Sequence, residues 1–351
     1  MVNILELVTP AEATLVARQI PEPIENPLTS VLPNVQVQGR KSKTVRRTIR
    51  RTTAKYRQYD AEAPIGSRPG TIATQELALP PLSQKLPINE DLLLTLAEGG
   101  SDALIQRIVE SIYDDIENNT TAILNRAEAA RGQFLSTGKV TINENGVIDE
   151  ADFGLPADHV VTPGTLWSDP TALALDDEQT WVRKVRTDAR RPVVRTIMSE
   201  RVRNYLLRNN QYRSFFWPGI ATPPTLTPEQ LGQVRAQFGL PPIEVYEGEV
   251  PTDSGTARVI ADDKVILVTD NVGESQWGIT AEARELVSSN AVDFTQEMAP
   301  GLTVVQYTDA DPVTTWTKVS SIFLPVAGDI NGLLVADVAA RPTSRRRAPP
   351  W

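Results

Sequence analysis

The chain has 351 residues, 40% hydrophobic and 23% charged, with a formal net charge of −9, which is enough for two domains and a sizeable core. It has no cysteine and one histidine, His159, which excludes disulfides, thiol nucleophiles, thiolate metal sites and the usual histidine-based zinc cluster. No apolar run approaches the roughly 18 residues of a membrane span, and the N-terminus lacks a basic-then-apolar leader, so a protein made in the cytosol with no membrane partner is expected.

The first 40 residues carry five prolines and one helical candidate, Ala11 to Ile20, and read as an extended arm that must lie on something else. Arg40 to Arg57 then holds nine basic residues and no acid, and Arg341 to Trp351 holds four more with no acid. Setting those 13 of 35 cations aside leaves 22 against 44 carboxylates, a body near −22 with two basic extensions, a pattern that suits self-complementary assembly. Lys43 to Tyr59 is rich in β-branched residues, Gly66, Pro69 and Gly70 turn the chain, and Thr71 to Leu79 returns. Residues 41–80 therefore predict a long two-stranded loop with too little apolar surface to stand alone.

Pro87 to Ala97 reads as a short amphipathic helix leading into the longest predicted element, a helix over 101–132. Its apolar stripe is Leu104, Ile105, Ile108, Val109, Ile112, Ile116, Ile123 and Ala127. Its other faces carry Asp102, Gln106, Glu110, Asp114, Asp115, Glu117, Asn118 and Arg126. Gly132 is the expected closing residue, which makes a beam of roughly 45 Å. Lys139 to Asn143 and Val147 to Asp149 flank Asn145-Gly146, the signature of a hairpin with a type I′ turn. The same stretch faintly resembles a calcium loop, but Thr141 stands where the first aspartate should be and Asp152 where a bidentate glutamate should be.

Beyond Asp176 the texture becomes mixed α+β. Trp181, Val182 and Val185 stripe a helix, Val193 to Met198 is a buried strand, and Ser199 can cap a helix burying Val202, Tyr205 and Leu206. Thr227-Pro228-Glu229-Gln230 is a capping box that opens a helix closed by Gly239. Strands are expected at Ile243 to Tyr246, Arg258 to Ala261, Lys264 to Val268, Leu302 to Tyr307, Val313 to Val326 and Gly332 to Ala339. Strands on both sides of 176–300 suggest that this α+β domain is inserted.

Chemistry-bearing motifs are lacking: there is no phosphate-cradling glycine loop, serine elbow, nicotinamide fingerprint or metal cluster, so no enzyme and no cofactor are expected. Asp114-Asp115, Asp176-Asp177 and Asp262-Asp263 read as solvated or capping pairs, and His159 as a surface or hydrogen-bonded loop residue. The basic run 40–57 allows a non-enzymatic nucleic-acid-binding or scaffold role as the alternative, although only Tyr56 and Tyr59 could stack and the acidic body would repel a polyanion.

A shell subunit fits better. The order of proline-rich arm, basic two-stranded loop, long helix, Gly138-Lys139-Val140-Thr141 hairpin and inserted domain resembles the major capsid proteins of tailed bacteriophages. More narrowly it resembles the lambda-type major head protein family, through Leu79 to Leu94, Gly138 to Gly154, Gly164-Thr165-Leu166-Trp167-Ser168-Asp169 and Trp316 to Val338. The resemblance implies an α+β chain with the Hong Kong phage 97 capsid fold: N-arm 1–40, extended loop 41–80, peripheral domain 81–169 with its spine helix, axial domain 170–301 and a return to the peripheral domain over 302–340; the basic tail 341–351 departs from the family pattern. It also implies homo-hexamers and pentamers forming an icosahedral shell around non-specifically held double-stranded DNA, assembled in the host cytoplasm with scaffold, portal and decoration proteins as further partners. In that fold the loop lies over the adjacent subunit's spine, so Arg46, Arg47, Arg50 and Arg51 are expected to pair with Glu110, Asp114, Asp115 and Glu117 across the boundary. Arg345, Arg346 and Arg347 would face DNA if the tail lies inside the shell.

Overall fold

A computed structural model describes residues 8–22, 28–39, 41–49, 70–88, 102–144, 146–252, 255–288, 301–310 and 313–340. The arm begins with helix α1 (Pro10–Gln19), one residue earlier than expected. Thr9 and Glu12 form a reciprocal capping box ahead of a proline whose missing N–H costs nothing at that position. The helix lies on the body: Ala13 and Ala17 are fully buried, Arg18 Nε donates to Leu302 O (3.2 Å), and Val304 N donates to Thr14 Oγ1 (3.1 Å). Strand β1 (Asn34–Gln36) continues the arm and runs parallel to Ser275–Trp277.

Strands β2 (Lys41–Ile49) and β3 (Gly70–Ala78) pair antiparallel from Lys41↔Ala78 to Ile49↔Gly70, and the outer part of the expected loop, 50–69, lies outside the described residues. The base of this ribbon is rooted, with Ser42, Leu77 and Leu79 buried. Only two residues separate it from β4 (Pro81–Ile88). The expected helix at Pro87 is therefore corrected at its start, because Pro87 and Ile88 end this strand; residues 89–97 lie outside the described residues. Proline misled the reading there: β4 sits at a sheet edge, where a missing N–H is tolerated.

The spine helix α2 (Asp102–Thr137) has 36 residues, about 54 Å at 1.5 Å per residue. Ile108, Ile112, Ile116, Ile123 and Ala127 are all buried, as their spacing requires. Gly132 does not close the helix. A Cβ there would meet the side chain of Val259 and its carbonyl oxygen at 2.7 Å, so the glycine permits close chain crossing. The closing residue is Gly138, with φ +68° and its N–H donating to Phe134 O at 2.7 Å. Strands β5 (Lys139–Glu144) and β6 (Val147–Asp152) follow as a hairpin with Gly146 at φ +80°. Lys139 Nζ holds Asp152 (2.7 Å) and Glu150 (3.1 Å), so the carboxylates of the calcium-like stretch already face a cation.

After the short strand β7 (Val160–Val161) come α3 (Ala174–Ala189), β8 (Val193–Met198), α4 (Glu200–Arg208), α5 (Asn210–Phe216), α6 (Pro228–Gln237) and β9 (Ile243–Val245). Ser199 accepts from Val202 N (3.1 Å), Thr227 and Gln230 cap each other, and Gly239 closes α6 at φ +66°. Val202 and Leu206 are buried, and Tyr205 is half-buried. β10 (Glu249–Thr252) and β11 (Gly255–Arg258) form a small hairpin. The expected strand over 258–261 ends at Arg258, because the chain bends to seat Val259 against Gly132 and bury Ile260.

The remaining strands are β12 (Lys264–Thr269), β13 (Gly273–Gly278), β14 (Thr303–Ala310), β15 (Val313–Ala327) and β16 (Leu333–Asp337), with helix α7 (Ala281–Ser288) between β13 and β14. One sheet has the order β1-β13-β15-β14, with β4 also paired to β15; the other runs β7-β16-β12-β8-β9. Thus β13 joins the first sheet while β16 joins the second, where its all-apolar start, Leu333 to Val335, is buried. Every residue of β12 is buried because the second sheet is covered on both faces. Ile266 and Val268 pack into the spine-helix core, and Val265 and Leu267 pack into a second core under helices α3 to α6. No helix among the described residues is long and apolar enough to cross a membrane.

Candidate assembly surfaces

Two surfaces project from these cores. On the ribbon, Arg46 and Arg47 stand on β2 opposite Ala73 and Ile72; Arg50 and Arg51, like Arg345, Arg346 and Arg347, lie outside the described residues. On the spine helix, Glu110, Asp114 and Glu117 are exposed and Asp115 is half-buried. Spacings of three and four put Glu110, Asp114 and Glu117 along one side of the helix. Burial raises the Asp115 carboxyl above its ordinary pKa, and neighbouring Asp114 adds to the rise. Among the residues whose side chains are described, none forms a salt bridge with these four carboxylates. Elsewhere on the helix Arg126 is already paired with Glu144 of the hairpin at 3.0 Å. The described part of the chain therefore presents an acidic ridge on the spine, and the backbone of the ribbon places Arg46 and Arg47 on β2.

A third feature was missed from the sequence. Arg131, fully buried on the spine, donates from Nε to Ser275 Oγ (2.9 Å), from Nη1 to Glu128 (2.9 Å) and from Nη2 to Asn34 Oδ1 (2.7 Å), and Glu22 lies 3.4 Å away. Glu128 also accepts from Leu28 N (2.7 Å) and Tyr246 OH (2.9 Å), and Trp277 Nε1 donates to Asn34 Oδ1 (2.9 Å). Burial first, and then the Glu128 carboxylate, push the Tyr246 hydroxyl far above its ordinary pKa. This cluster fastens the arm to the spine of the same subunit. Its sequence signal is Glu128 and Arg131 at i, i+3, placed beside Ala127 and Ala130 on the apolar side of the helix, where small residues leave room for charge.

The second core has its own buried pair. Arg235 bonds Glu178, whose same oxygen accepts from Tyr212 OH (3.1 Å), and Arg235 Nη2 reaches Thr196 Oγ1 (3.0 Å) and Pro241 O (2.9 Å). Trp167, from the Gly164–Asp169 motif, is buried there; it stacks on Trp181 at 5.4 Å and donates to Asp177 (3.1 Å). Asp177 thus anchors a tryptophan, and Asp262 pairs with Arg201 (3.1 Å). His159 is buried and hydrogen-bonded, not on the surface. Among the described residues no group of three or more histidine, aspartate or glutamate side chains is arranged to hold a metal ion.

Long spine helix, reaching ribbon, docked arm and a second sheet under its own helices define a shell-building subunit. Two solved structures share the fold. One is a candidate capsid protein of a prophage of E. coli CFT073, 18% identical, with a TM-score of 0.55 over 77% of this chain and 80% of that one. The other is a phage-related protein of Bordetella bronchiseptica RB50, 14% identical, with a TM-score of 0.54 over 94% of this chain and 97% of that one. No curated protein matches the chain. The family model described as Phage major capsid protein E matches residues 15–338, and the chain belongs to that family. Its role is structural: it forms the capsid of a phage.

Proposed function

We propose that the chain assembles as hexamers and pentamers into an icosahedral shell around double-stranded DNA, held together in part by the ribbon of one subunit crossing the spine of the next. The observation that carries this reading is the acidic ridge Glu110, Asp114, Asp115 and Glu117, which forms no salt bridge with any residue of its own subunit whose side chain is described, in a chain with nine cations within 40–57. Single exposed pairs contribute only about 0 to 1 kcal/mol, but repetition around every capsomer adds them up. Scaffold and portal proteins are the further partners on this reading, assembly takes place in the host cytoplasm, and the chain turns over no substrate. The acidic body keeps contact with DNA weak and non-specific, with Arg345 to Arg347 as the exception.

The test is charge reversal followed by negative-stain imaging and sedimentation of the full chain. Replacing Arg46, Arg47 and Arg50 by glutamate should abolish shells while leaving helix content intact, and adding Glu110→Lys, Asp114→Lys and Asp115→Lys should restore them. Assembly that is unchanged by the arginine reversal would remove the ribbon contact. Tight gel-shift binding by 40–57 at about 0.2 M salt would favour a nucleic-acid role instead.

A further inference from the structure

Shell building leaves one buried titratable group unexplained. His159 is the sole histidine of the chain and only 1% exposed. It ends the 3-10 turn Ala157–His159 immediately before β7, where the chain passes from the hairpin β5–β6 to the second sheet. Its ring ties that turn to two other elements. Nδ1 lies 2.7 Å from the carbonyl oxygen of Leu333 on β16, and Nε2 lies 3.0 Å from Asp188 Oδ2 near the end of α3.

Both partners are acceptors. A backbone carbonyl has no proton to give, and Asp188 is held ionised: the bond from His159, and after it the bond from Lys184 at 3.1 Å, keep its carboxyl below the ordinary range. Neutral imidazole has one N–H and one lone pair. Either neutral tautomer would point that lone pair at an oxygen: at 2.7 Å in the buried contact with Leu333, where such a mismatch is costly, or at 3.0 Å in the contact with Asp188, whose side chain is 38% exposed. Imidazolium donates from both nitrogens and satisfies both.

The charged groups around the ring are complementary to it. Helix α3 brings Asp188 and Lys184, and the turn itself brings Asp158, which Lys184 also holds. β16 presents only the Leu333 carbonyl, and the turn ahead of it carries Asp329, whose carboxylate accepts from Asn331 N at 3.2 Å. With His159 protonated, the ring, Lys184, Asp158 and Asp188 sum to zero.

We propose that His159 is a charged cross-brace whose second ring proton locks the passage into the second sheet, so that losing that proton loosens the joint. The neighbouring strand contact cannot replace it, since β7 pairs with β16 through only Val160↔Val335 and Val161↔Ala336. The sign follows from protonation: the brace contributes while the ring is charged and is lost as pH rises through the ring's titration.

One histidine makes the test clean. Full-length protein labelled with nitrogen-15 in histidine alone, sedimented and read by solid-state NMR, should show both ring nitrogens protonated at about pH 7.5, where a free histidine is about nine-tenths neutral. The melting temperature of H159Q should fall below that of the unmodified protein in mildly acidic buffer, and the gap should narrow as the pH is raised. Asp188→Asn, which keeps the Leu333 bond and a near-identical shape but also gives up the Lys184 pair, should show a gap that narrows with rising pH without closing if H159Q fails to fold. An unprotonated ring nitrogen at about pH 7.5, or gaps that do not change with pH, would overturn the proposal.

Discussion

Arg131 shows what a single residue can carry in this subunit. Its guanidinium is fully buried, so the carboxylates it faces are favourable only while it is present. Arg131→Met should destabilise the subunit by about 3 to 5 kcal/mol, because Glu128 would remain as an uncompensated buried charge. The double variant Arg131→Met with Glu128→Gln should recover much of that loss, and denaturant unfolding of both variants measures the difference. Substituting Glu22 should cost less: its contacts with Arg131 are at 3.4 Å and its side chain is one-fifth exposed, so the main loss is the bond it accepts from Thr29 Oγ1 at 2.5 Å. None of this was legible as function, because a glutamate and an arginine three apart on a helix ordinarily mean a solvated pair. Only the arm and β13, folded over the top, turn the pair into a core. β13 itself, Gly-Glu-Ser-Gln-Trp-Gly, reads as polar and was not expected as a strand; Ser275 is buried because it receives Arg131.

At the scale of the element, glycines separate local preference from packing. Gly132 and Gly232 both sit inside helices, and alanine is favoured over glycine by about 1 kcal/mol in a helix interior. Gly232→Ala should therefore raise stability by about 0.5 to 1 kcal/mol, since a Cβ there meets nothing within 4 Å. Gly132→Ala should lower it by about 1 to 3 kcal/mol, since the backbone of Val259 must move. Opposite shifts in melting temperature test both. The same contrast explains what could be read in advance. Capping at Ser199 and Thr227 and the stripe of the spine were legible because the relevant contacts lie within four residues. The strand at Pro81–Ile88 and the exchange of β13 and β16 between sheets depend on partners more than 40 residues away, and for Pro81–Ile88 more than 200, which no local pattern reports.

For the whole molecule, the proposed contact between ridge and ribbon predicts an assembly that is sensitive to acid. Asp115 in the free subunit has its carboxyl raised by burial and then by Asp114. A cation from a neighbour would lower it, so the assembled form binds fewer protons than the free form. Association is then favoured above the carboxylate range and weakens as pH falls into it. Light scattering across a pH series should show shells loosening in that window, and Asp115→Asn should blunt the response. High salt should weaken assembly in the same way, because the charges are exposed and screening over about 8 to 10 Å is enough to decouple them.

The join between the ribbon and the first sheet has a mechanical consequence. β3 ends at Ala78, and β4 begins at Pro81 and pairs with β15 through eight residues, from Pro81↔Ile322 to Ile88↔Thr315. A neighbour that tugs on the ribbon pulls β4 lengthwise, while its hydrogen bonds to β15 run perpendicular to that pull. The ladder is loaded in shear, so its bonds share the force and must break together instead of unzipping one at a time. β15 passes the load on to β14 and β13 on its other edges. A shell made of such subunits would bear outward pressure as tension in its sheets. Pulling single subunits by force microscopy from residue 78 against residue 313 should give a high, single-step rupture, and pulling from 88 against 315 should peel the same strands apart at a fraction of that force.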